Sequence, residues 1–180
     1  YEPQKLPLIK KILKETPYKN ALVFCSRKQT VKQLTRELKH GGINVSEIHS
    51  DLLQSERESV LSAFTAGRIP VLVATDILSR GIDIDTIDVV INYDVPGDGE
   101  DYVHRIGRTA RAEADGAAFT LIGEKEQNKF ALIEKLIGKE VEKGQVPNEL
   151  GAAPAYNPRL RSGGSKPYRR FNRPQDRRKK

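Results

Sequence analysis

The sequence contains no methionine and no tryptophan, and only one cysteine is found among its 180 residues. Because even position 1 is a tyrosine, we expect the chain to be a fragment of a longer polypeptide that begins upstream. Cys25 lies within the apolar run ALVFC, which is typical of a small buried side chain, and one cysteine cannot form an internal disulfide. We therefore expect a reducing, cytoplasmic location.

Long apolar runs are also missing. No stretch approaches the roughly 18 apolar residues that a membrane-spanning helix needs, and the charged start YEPQKLPLIKK is unlike a secretory signal. We expect a chain that does not associate with a membrane. Its length is sufficient for one well-buried core and favours one compact domain with an appendage.

Several motifs of catalytic sites are absent as well. The pattern GxxxxGK[ST], whose backbone amides cradle nucleotide phosphates, does not occur in the sequence. No pair of histidines, cysteines or carboxylates has metal-ligand spacing, and no Ser/His/Asp arrangement suggests a triad. The sequence therefore predicts no protein-built metal site.

The net charge of +7 is unevenly distributed. Residues 159–180 hold ten Lys or Arg and one acidic residue, a net charge of +9, whereas residues 1–158 hold 21 Lys or Arg against 23 acidic residues, a net charge of −2. From residue 145 onward the chain is rich in Pro, Gly, Asn and Arg and has few large aliphatic residues, a composition that favours disorder. We predict a folded domain over residues 1–144 and a disordered Arg/Lys-rich tail over residues 145–180.

Short β-branched runs alternate with longer amphipathic segments through the predicted domain. Strands are predicted at ALVFC, NVSEIH, PVLVAT, DVVINY and AAFTLI, and helices at LPLIKKILKE, RKQTVKQLTRELKH, SERESVLSAFTAG and EKEQNKFALIEKLIG. Apolar strands separated by helices indicate an α/β fold whose parallel sheet is covered on both faces. Such sheets bind ligands beyond the carboxyl ends of their strands.

The segment YVHRIGRTAR is unusually rich in arginine. If it is helical, Arg105, Arg108 and Arg111 lie three residues apart along one side of the helix, with a small rotation from each to the next. Like charges at this spacing repel unless an anion is bound. Arginine suits phosphate because its planar guanidinium donates hydrogen bonds in pairs. A solvated basic face paired with nearby acids is the alternative, and the spacing alone favours that alternative.

Three further polar clusters follow predicted strands. In ATDILSRGIDID, Asp83 offers a carboxylate to a sugar hydroxyl, and Arg80 stands beside a glycine that permits close approach of a ligand. In HSDLLQSERE and FCSRK, polar residues lie at the start of a helix, where anions are favoured, and Ser26 is predicted to cap its helix. Each cluster taken alone is equally consistent with an ordinary polar turn.

Taken in order, ALVFCSRK, HSDLLQSERE, VLVATDILSRGIDID, INYDVP and YVHRIGRTAR resemble the C-terminal RecA-like domain of DEAD-box RNA helicases of superfamily 2. The resemblance covers residues 1–140 and is specific because five motifs occur in the same order. It implies a parallel-sheet fold of the P-loop NTPase type with helices on both faces. It also implies ATP as cofactor, with Mg²⁺ held mainly by an N-terminal RecA-like domain of the same polypeptide, and RNA as partner.

The resemblance also implies roles for individual residues. Arg108 and Arg111 match arginine fingers that reach the ATP phosphates across an interdomain cleft. Residues that match the ATP site and its interdomain supports are Asp83, Arg80, His104 and Arg105. Residues that match contacts to the RNA sugar-phosphate backbone are Ser26, Arg27, Gln54, Arg57, Thr75 and Gly81. Backbone contacts imply little sequence preference, because phosphates carry no base identity.

The chain is therefore expected to be one of the two RecA-like domains of an enzyme. The whole protein would unwind short RNA duplexes or remodel RNA–protein complexes with ATP, while this fragment alone would be inactive and monomeric. A free-standing RNA-binding or regulatory module and a superfamily 2 DNA helicase domain are the alternatives. The basic tail, which includes Tyr156, Tyr168 and Phe171, suits RNA through counterion release and base stacking, and a merely solubilising tail is its alternative.

The sequence departs from the family pattern at a few positions. Ala110 stands where the final arginine motif usually has glycine, and Ser50 replaces the common glycine after His49. These changes affect only local backbone geometry and remove no candidate ligand. The short insert GDGE at residues 97–100, together with the Arg-rich tail, is similar to that of bacterial RhlE-type members.

Overall fold

The computed structural model describes residues 1–76, 87–109 and 116–158 of the chain. The strands are β1 (Ala21–Phe24), β2 (Val45–Ile48), β3 (Val71–Ala74), β4 (Val89–Asn92) and β5 (Ala117–Thr120). The helices are α1 (Glu2–Glu15), α2 (Lys28–His40), α3 (Gln54–Thr65), α4 (Gly99–Ile106) and α5 (Gln127–Ile137). Each strand and helix predicted from the sequence is confirmed, with bounds that shift by a few residues.

The strands form one parallel sheet in the order β2-β3-β1-β4-β5. Phe24 at the end of β1 is in register with Ala74 of β3 and Asn92 of β4, and Ile48 of β2 is also in register with Ala74. Thr120 of β5 is in register with Asn92, so all five strands end at the same level and the loops that follow them emerge side by side. We call this side of the sheet the carboxyl edge.

Helices cover both faces of the sheet, as predicted. On one face, α1 and α2 pack against alternate residues of β1 such as Val23, and the buried set includes Leu13 and Leu34. On the other face, Phe64 of α3 packs against Phe24. This division follows from the alternation of side chains along a strand. Every residue of β1, β3 and β4 is buried and all but Asn92 are apolar, which matches the pattern of a parallel sheet covered on both sides.

A third buried cluster attaches α4 and α5 to the side of the sheet. Tyr102 of α4 and Phe130 of α5 meet edge to face, with ring centroids 5.8 Å apart and an interplanar angle of 78°. Val95, in the loop after β4, is buried in the same cluster. This packing fixes α4, which carries part of the arginine-rich motif, next to the carboxyl edge.

The segment after α5 returns across the domain, and we call residues 139–158 the C-terminal strap. The side chain of Gln127 donates to the carbonyl of Ala155 at 2.8 Å and accepts from the amide of Asn157 at 2.8 Å. Gln4 of α1 donates to the carbonyl of Leu150 at 2.7 Å. Residues 145–158 therefore pack on the domain, which differs from the disorder that composition predicted for them. The division of the chain after residue 144 stays a prediction, and residues 159–180 lie outside the described residues.

The strap was missed because polar contacts between distant residues hold it, in addition to the packing of Val141 and Tyr156 against the third cluster. Two glutamine side chains satisfy backbone groups that would otherwise need water, and composition does not reveal such pairings. Within the described residues, no helix is long and apolar enough to cross a membrane.

Candidate functional site

The sequence clusters singled out above meet along the carboxyl edge. The backbone hydrogen bonds between neighbouring strands continue into the loops that follow them. The amide of Cys25 donates to the carbonyl of Ala74 at 2.9 Å, and the amide of Tyr93 donates to the carbonyl of Phe24 at 2.9 Å. The amide of Thr75 donates to the carbonyl of Ile48 at 3.3 Å. The first residues of the loops after β1, β3 and β4 are thus held in one row, which is where open parallel sheets bind ligands.

Arg105 is the largest fully buried side chain of the described residues, with 0% of its surface exposed. Its Nε donates to Oδ1 of Asp76 at 2.7 Å, and its Nη2 lies 2.6 Å from the same oxygen. Its Nη1 donates to Oδ1 of Asn92 at 3.1 Å, and its guanidinium lies 5.0 Å from the centre of the Phe24 ring. A buried guanidinium is tolerated only when it is paired in this way.

The polar contacts of Arg105 continue across the sheet. The side-chain amide of Asn92, at the end of β4, donates to Oγ1 of Thr120 in β5 at 3.1 Å. One connected network of hydrogen bonds thus joins Asp76 in the loop after β3, the helix α4, and the ends of β4 and β5. Burial favours a supporting role for Arg105 over direct contact with a nucleotide, and its place among the ATP-site residues stays a prediction.

The arginine-rich motif does not form the single stripe that its spacing predicted. Helix α4 ends at Ile106, and the amide of its C-cap residue, Gly107, still donates to the carbonyl of Val103 at 2.8 Å. A Cβ on Gly107 would lie 2.9 Å from that same carbonyl oxygen, so the close turn requires glycine. Arg105 points into the core, whereas Arg108 is half-buried in the turn beyond the helix, and Arg111 lies outside the described residues.

The turn after α4 is tied to the edge of the sheet. The amide of Ile87, which precedes β4, donates to the carbonyl of Arg108 at 3.2 Å, and the amide of Arg108 donates to the carbonyl of Arg105 at 3.3 Å. His104, in the last turn of α4, is exposed to solvent. Arg108 and His104 are therefore held on a fixed backbone at the surface of the domain.

The loop after β1 presents Ser26 and Arg27, and both are exposed. The amide of Ser26 donates to Oδ2 of Asp94, in the loop after β4, at 2.8 Å. Helix α2 has Arg27 at its N-cap position with no side-chain cap, and its first turn contains no acidic residue. Ser26 is thus not the helix cap that the sequence predicted, because the helix begins one residue later.

A buried lysine that sequence analysis did not single out organises this region. Lys5 of α1 is only 5% exposed, and its ammonium lies 4.7 Å from the centre of the Tyr93 ring. The carboxylates that surround it are Glu2 at 3.1 Å, Glu126 at 3.3 Å and Asp94 at 3.8 Å. Burial alone lowers the pKa of Lys5, but Glu126 and the other two carboxylates raise that pKa by more, so the ammonium stays charged.

The loop after β2 and the start of α3 carry the next two candidates. Gln54 is exposed, and its side-chain amide donates to Oε1 of Glu58 at 2.8 Å. Arg57 is half-buried, and its Nη2 donates to the carbonyl of Ser50 at 3.2 Å. Both side chains lie at the amino end of α3, where the helix dipole favours anions.

Four buried polar atoms at this edge have no hydrogen-bond partner among the described residues. Nη2 of Arg105 is still ion-paired with Asp76, and Nε2 of His49 lies 3.5 Å from a carboxylate oxygen of Glu47. The other two are Nε of Arg57 and Oγ1 of Thr75, the first residue after β3. A buried polar atom without a partner carries a desolvation cost of about 1–3 kcal/mol. Such atoms at a ligand-binding edge indicate positions where a bound molecule would supply the missing partner.

The structure therefore brings together most of the predicted site residues. Those on the loops of the carboxyl edge are Ser26, Arg27 and Thr75, those at the start of α3 are Gln54 and Arg57, and those on α4 and its following turn are His104, Arg105 and Arg108. The predicted residues that lie outside the described part of the chain are Arg80, Gly81, Asp83 and Arg111. In the described ranges, no group of three or more His, Cys, Asp or Glu is arranged to hold a metal ion. That the whole chain builds no metal site stays a prediction.

Comparison with solved structures identifies the class of fold as the RecA-like helicase C-terminal domain. The chain is similar to the Escherichia coli DEAD-box protein SrmB, solved with the regulator of ribonuclease activity A, with a TM-score of 0.77 and 34% identity over 86% of this chain and 92% of that chain. It is also similar to a DEAD box protein from Methanococcus jannaschii, with a TM-score of 0.75 and 38% identity over 80% of this chain and 39% of that one. The predicted fold class is thereby confirmed.

Residues 4–113 match the family described as the helicase conserved C-terminal domain, and the chain belongs to this family. Two of its relatives are named ATP-dependent RNA helicase DBP8. That of Candida albicans is 44% identical over 122 residues, or 68% of this chain and 28% of the relative, and that of Aspergillus fumigatus is 47% identical over 124 residues, or 69% and 24%. The chain thus spans about a quarter of the length of the relatives it matches.

Proposed function

We propose that the chain is the C-terminal half of a DEAD-box ATP-dependent RNA helicase that unwinds short RNA duplexes or remodels RNA–protein complexes. The observation that carries the proposal is the row of motif residues along the carboxyl edge, which the Arg105–Asp76 pair joins to the arginine-rich turn. Membership of the helicase C-terminal family and the names of the fungal relatives support it.

In this proposal, Arg108 and Arg111 serve as arginine fingers for an ATP site that the N-terminal RecA-like domain completes. The chain fits such a half-site because it presents Arg108 and the exposed His104 on a fixed turn, while its sequence lacks the pattern that cradles phosphates. Asp83 and Arg80 would contribute the ribose contact and the interdomain link. When bound with Mg²⁺, ATP supplies the phosphoryl group whose developing charge the arginines stabilise.

The RNA half of the proposal uses the loops after β1 and β3 and the start of α3. Ser26, Arg27 and Gln54 are exposed there, and Nε of Arg57 and Oγ1 of Thr75 lack partners that a phosphate or ribose oxygen would provide. Gly81 would allow close approach of the RNA backbone. Contacts of this kind bind RNA with little dependence on sequence.

Several finer assignments belong to the same proposal. We propose that the protein acts as a monomer in the cytoplasm and that the basic tail adds RNA affinity at low salt. The expected similarity to bacterial RhlE-type members finds no support in these relatives, which are fungal, so it forms no part of the proposal.

The test combines this chain with a matching N-terminal RecA-like domain in one polypeptide and measures ATP hydrolysis with and without RNA. We expect RNA-stimulated hydrolysis, and a loss of about 10³-fold in Arg111→Ala or Arg108→Ala, because arginine fingers contribute on that scale. Lys139→Gln, which removes one exposed cation elsewhere, should leave the rate unchanged.

Two outcomes would contradict parts of the proposal. Unchanged hydrolysis in both arginine variants would refute the arginine-finger assignment. Equal stimulation by DNA and RNA would favour a DNA helicase domain, and no stimulation by either would favour a binding module.

A further inference from the structure

The exposed side of helix α2 is basic along its length. Lys28, Lys32, Arg36 and His40 follow one another at intervals of four residues, and Lys39 lies three residues after Arg36; all five are exposed. Residues three and four apart are neighbours on a helix surface. We call these five residues the α2 basic face.

The α2 basic face begins at the candidate RNA contacts and leads away from them. Helix α2 starts immediately after Arg27, in the loop that follows β1 at the carboxyl edge. Val31, Leu34 and Leu38 on its other side are buried in the core, so the basic face is directed to solvent. From Lys28 to Lys39 the helix rises by about 16 Å, the length of about five nucleotides of a stacked strand.

Neighbouring acids compensate only part of this charge. Asp51, in the loop after β2, accepts hydrogen bonds from Lys28 and Lys32, each at 2.7 Å, and these bonds lower its pKa to about 2. One carboxylate thus faces two lysines. Across the described residues, Arg36 and Lys39 make no ion pair. The only acidic residue within α2 is Glu37.

This charge is a local feature and does not reflect composition. Residues 1–158 together carry a net charge of −2, yet α2 holds four Lys or Arg and a single acidic residue. Like charges at i,i+4 destabilise an isolated helix by a few tenths of a kcal/mol per pair, so the arrangement favours an anionic partner.

The chemistry of α2 fits a nucleic acid better than an acidic protein. Protein interfaces are centred on aromatic or large aliphatic side chains, together with arginine. The exposed large hydrophobic residues of the described chain are Tyr1, Leu53, Val103, Leu132 and Leu136, and none of them lies on α2. A face of long, flexible cations without apolar anchors suits phosphates, which are bound through counterion release.

We propose that the α2 basic face is a phosphate track for RNA that extends beyond the groove at the carboxyl edge. The inference rests on the proposed function, because the groove supplies the point from which the RNA extends. The track adds affinity only for RNA long enough to reach from the groove onto α2. It is insensitive to base sequence and weakens as salt rises.

The test uses the full-length helicase and two fluorescent single-stranded RNAs of mixed sequence. The short RNA, of about 8 nucleotides, fills the groove alone, and the long RNA adds about 10 nucleotides at each end. The variant is Arg36→Gln with Lys39→Gln, which leaves the Asp51 contacts intact. The matched control is Lys135→Gln with Lys139→Gln, which removes two exposed lysines at the other side of the sheet. Unfolding midpoints verify that both variants fold.

We expect the α2 variant to bind the long RNA about 5- to 10-fold more weakly at low salt and the short RNA as the wild type does. The slope of log affinity against log salt for the long RNA should fall by about 1.4, since each phosphate contact to a single strand contributes about 0.7. Arg36→Lys should retain the wild-type affinity, because the track binds phosphates through positive charge and lysine keeps that charge. The control pair should change none of these values.

Three results would overturn the proposal. The first is unchanged affinity of the α2 variant for the long RNA, which would leave an acidic protein as the partner of this face. The second is an equal loss in the control pair, which would indicate a general effect of net charge. The third is a wild-type protein that binds neither RNA, and only this result would also overturn the proposed function.

Discussion

Arg105 and Asp76 lie 29 residues apart in the chain, and Nε and Nη2 of the arginine both contact the same carboxylate oxygen, at 2.7 and 2.6 Å. The arginine is buried, whereas 41% of the Asp76 side chain is exposed. The pair therefore connects a buried cation to the surface at the end of β3. It holds α4 against the sheet and sets where the turn with Arg108 begins.

Replacement of Asp76 by alanine should cost more than replacement by asparagine. Asp76→Ala leaves a buried guanidinium with Asn92 as its remaining side-chain acceptor among the described contacts, and orphaned buried charges cost about 3–5 kcal/mol. Because Asp76 is partly exposed, we expect a smaller loss of about 2–3 kcal/mol for the alanine variant. Asparagine retains one acceptor oxygen and should cost about half as much. Urea unfolding of the chain measures both values, and equal costs would contradict the assigned role.

The architecture was predictable because its physical signals are local. Apolar strands such as β1 and β3, separated by amphipathic helices, indicate a parallel sheet, and the rule for such sheets then places the motif loops at one edge. The order of five motifs supplied the roles of residues such as Arg108. None of these inferences required knowledge of a particular side-chain contact.

The features that sequence analysis missed depend on contacts between distant residues. The burial of Arg105 depends on Asp76 and Asn92, and the spacing of three arginines gives no sign of it. Lys5 is one of several lysines in α1, and its burial depends on carboxylates more than 80 positions along the chain. The strap depends on the side-chain amide of Gln127, and a glutamine at the start of a helix gives no sign of such a contact.

Gly116→Ala should destabilise the turn that carries Arg108. A Cβ at Gly116 would lie 2.6 Å from Cβ of Thr109 and 2.6 Å from its carbonyl oxygen, so backbone must move to accommodate it. Thr109 is buried, and its hydroxyl donates to the carbonyl of Ile106 at 3.0 Å. We expect a loss of about 1–3 kcal/mol in the free energy of unfolding, which is typical of overpacking.

The matched control for this substitution is Gly144→Ala. A Cβ at Gly144 would meet no atom within 4 Å, so its cost should stay within about 0.5 kcal/mol. In the full-length protein, Gly116→Ala should also slow ATP hydrolysis, because Arg108 lies in the displaced turn. A Gly116 variant as stable and as active as the control would show that the turn is not constrained as described.

Asp94→Ala should weaken RNA binding without an equal effect on ATP binding. Oδ2 of Asp94 accepts from the amide of Ser26, and its carboxylate also faces the buried ammonium of Lys5. Loss of both contacts frees the loop that presents Ser26 and Arg27. We expect RNA affinity of the full-length protein to fall about 3- to 10-fold, which corresponds to about 0.6–1.4 kcal/mol.

Asp94→Asn serves as the control because it keeps an acceptor for the Ser26 amide and loses only the charge. Its RNA affinity should stay close to that of the wild type, while its stability falls slightly because Lys5 loses one of its carboxylates. RNA and ATP titrations of the three proteins separate the two effects. If RNA and ATP affinities fell together in the alanine variant, a general loss of folding would explain the result instead.

The C-terminal strap should detach from the domain at acidic pH, because Glu134 of α5 anchors it. The Glu134 carboxylate, 12% exposed, accepts hydrogen bonds from the amide of Val141 at 2.8 Å, the hydroxyl of Tyr156 at 2.8 Å and the ammonium of Lys143 at 2.5 Å. Burial alone raises the pKa of Glu134, but the hydrogen bonds from Lys143, Val141 and Tyr156 lower that pKa by more. A carboxyl group whose pKa is lowered on folding contributes stability above its unfolded pKa of about 4.3, and this contribution is lost as the pH falls through the folded value.

Hydrogen exchange of residues 141–158, expressed as protection relative to an unfolded peptide, measures this detachment. We expect full protection at pH 6 and a loss of protection at about pH 3, while the strands β1 and β3 remain protected. Glu134→Gln should show low protection of the strap at both pH values, because it lacks the charge that binds Lys143. A wild-type strap that is equally protected at both pH values would mean that Gln127 and Gln4, and not Glu134, hold it in place.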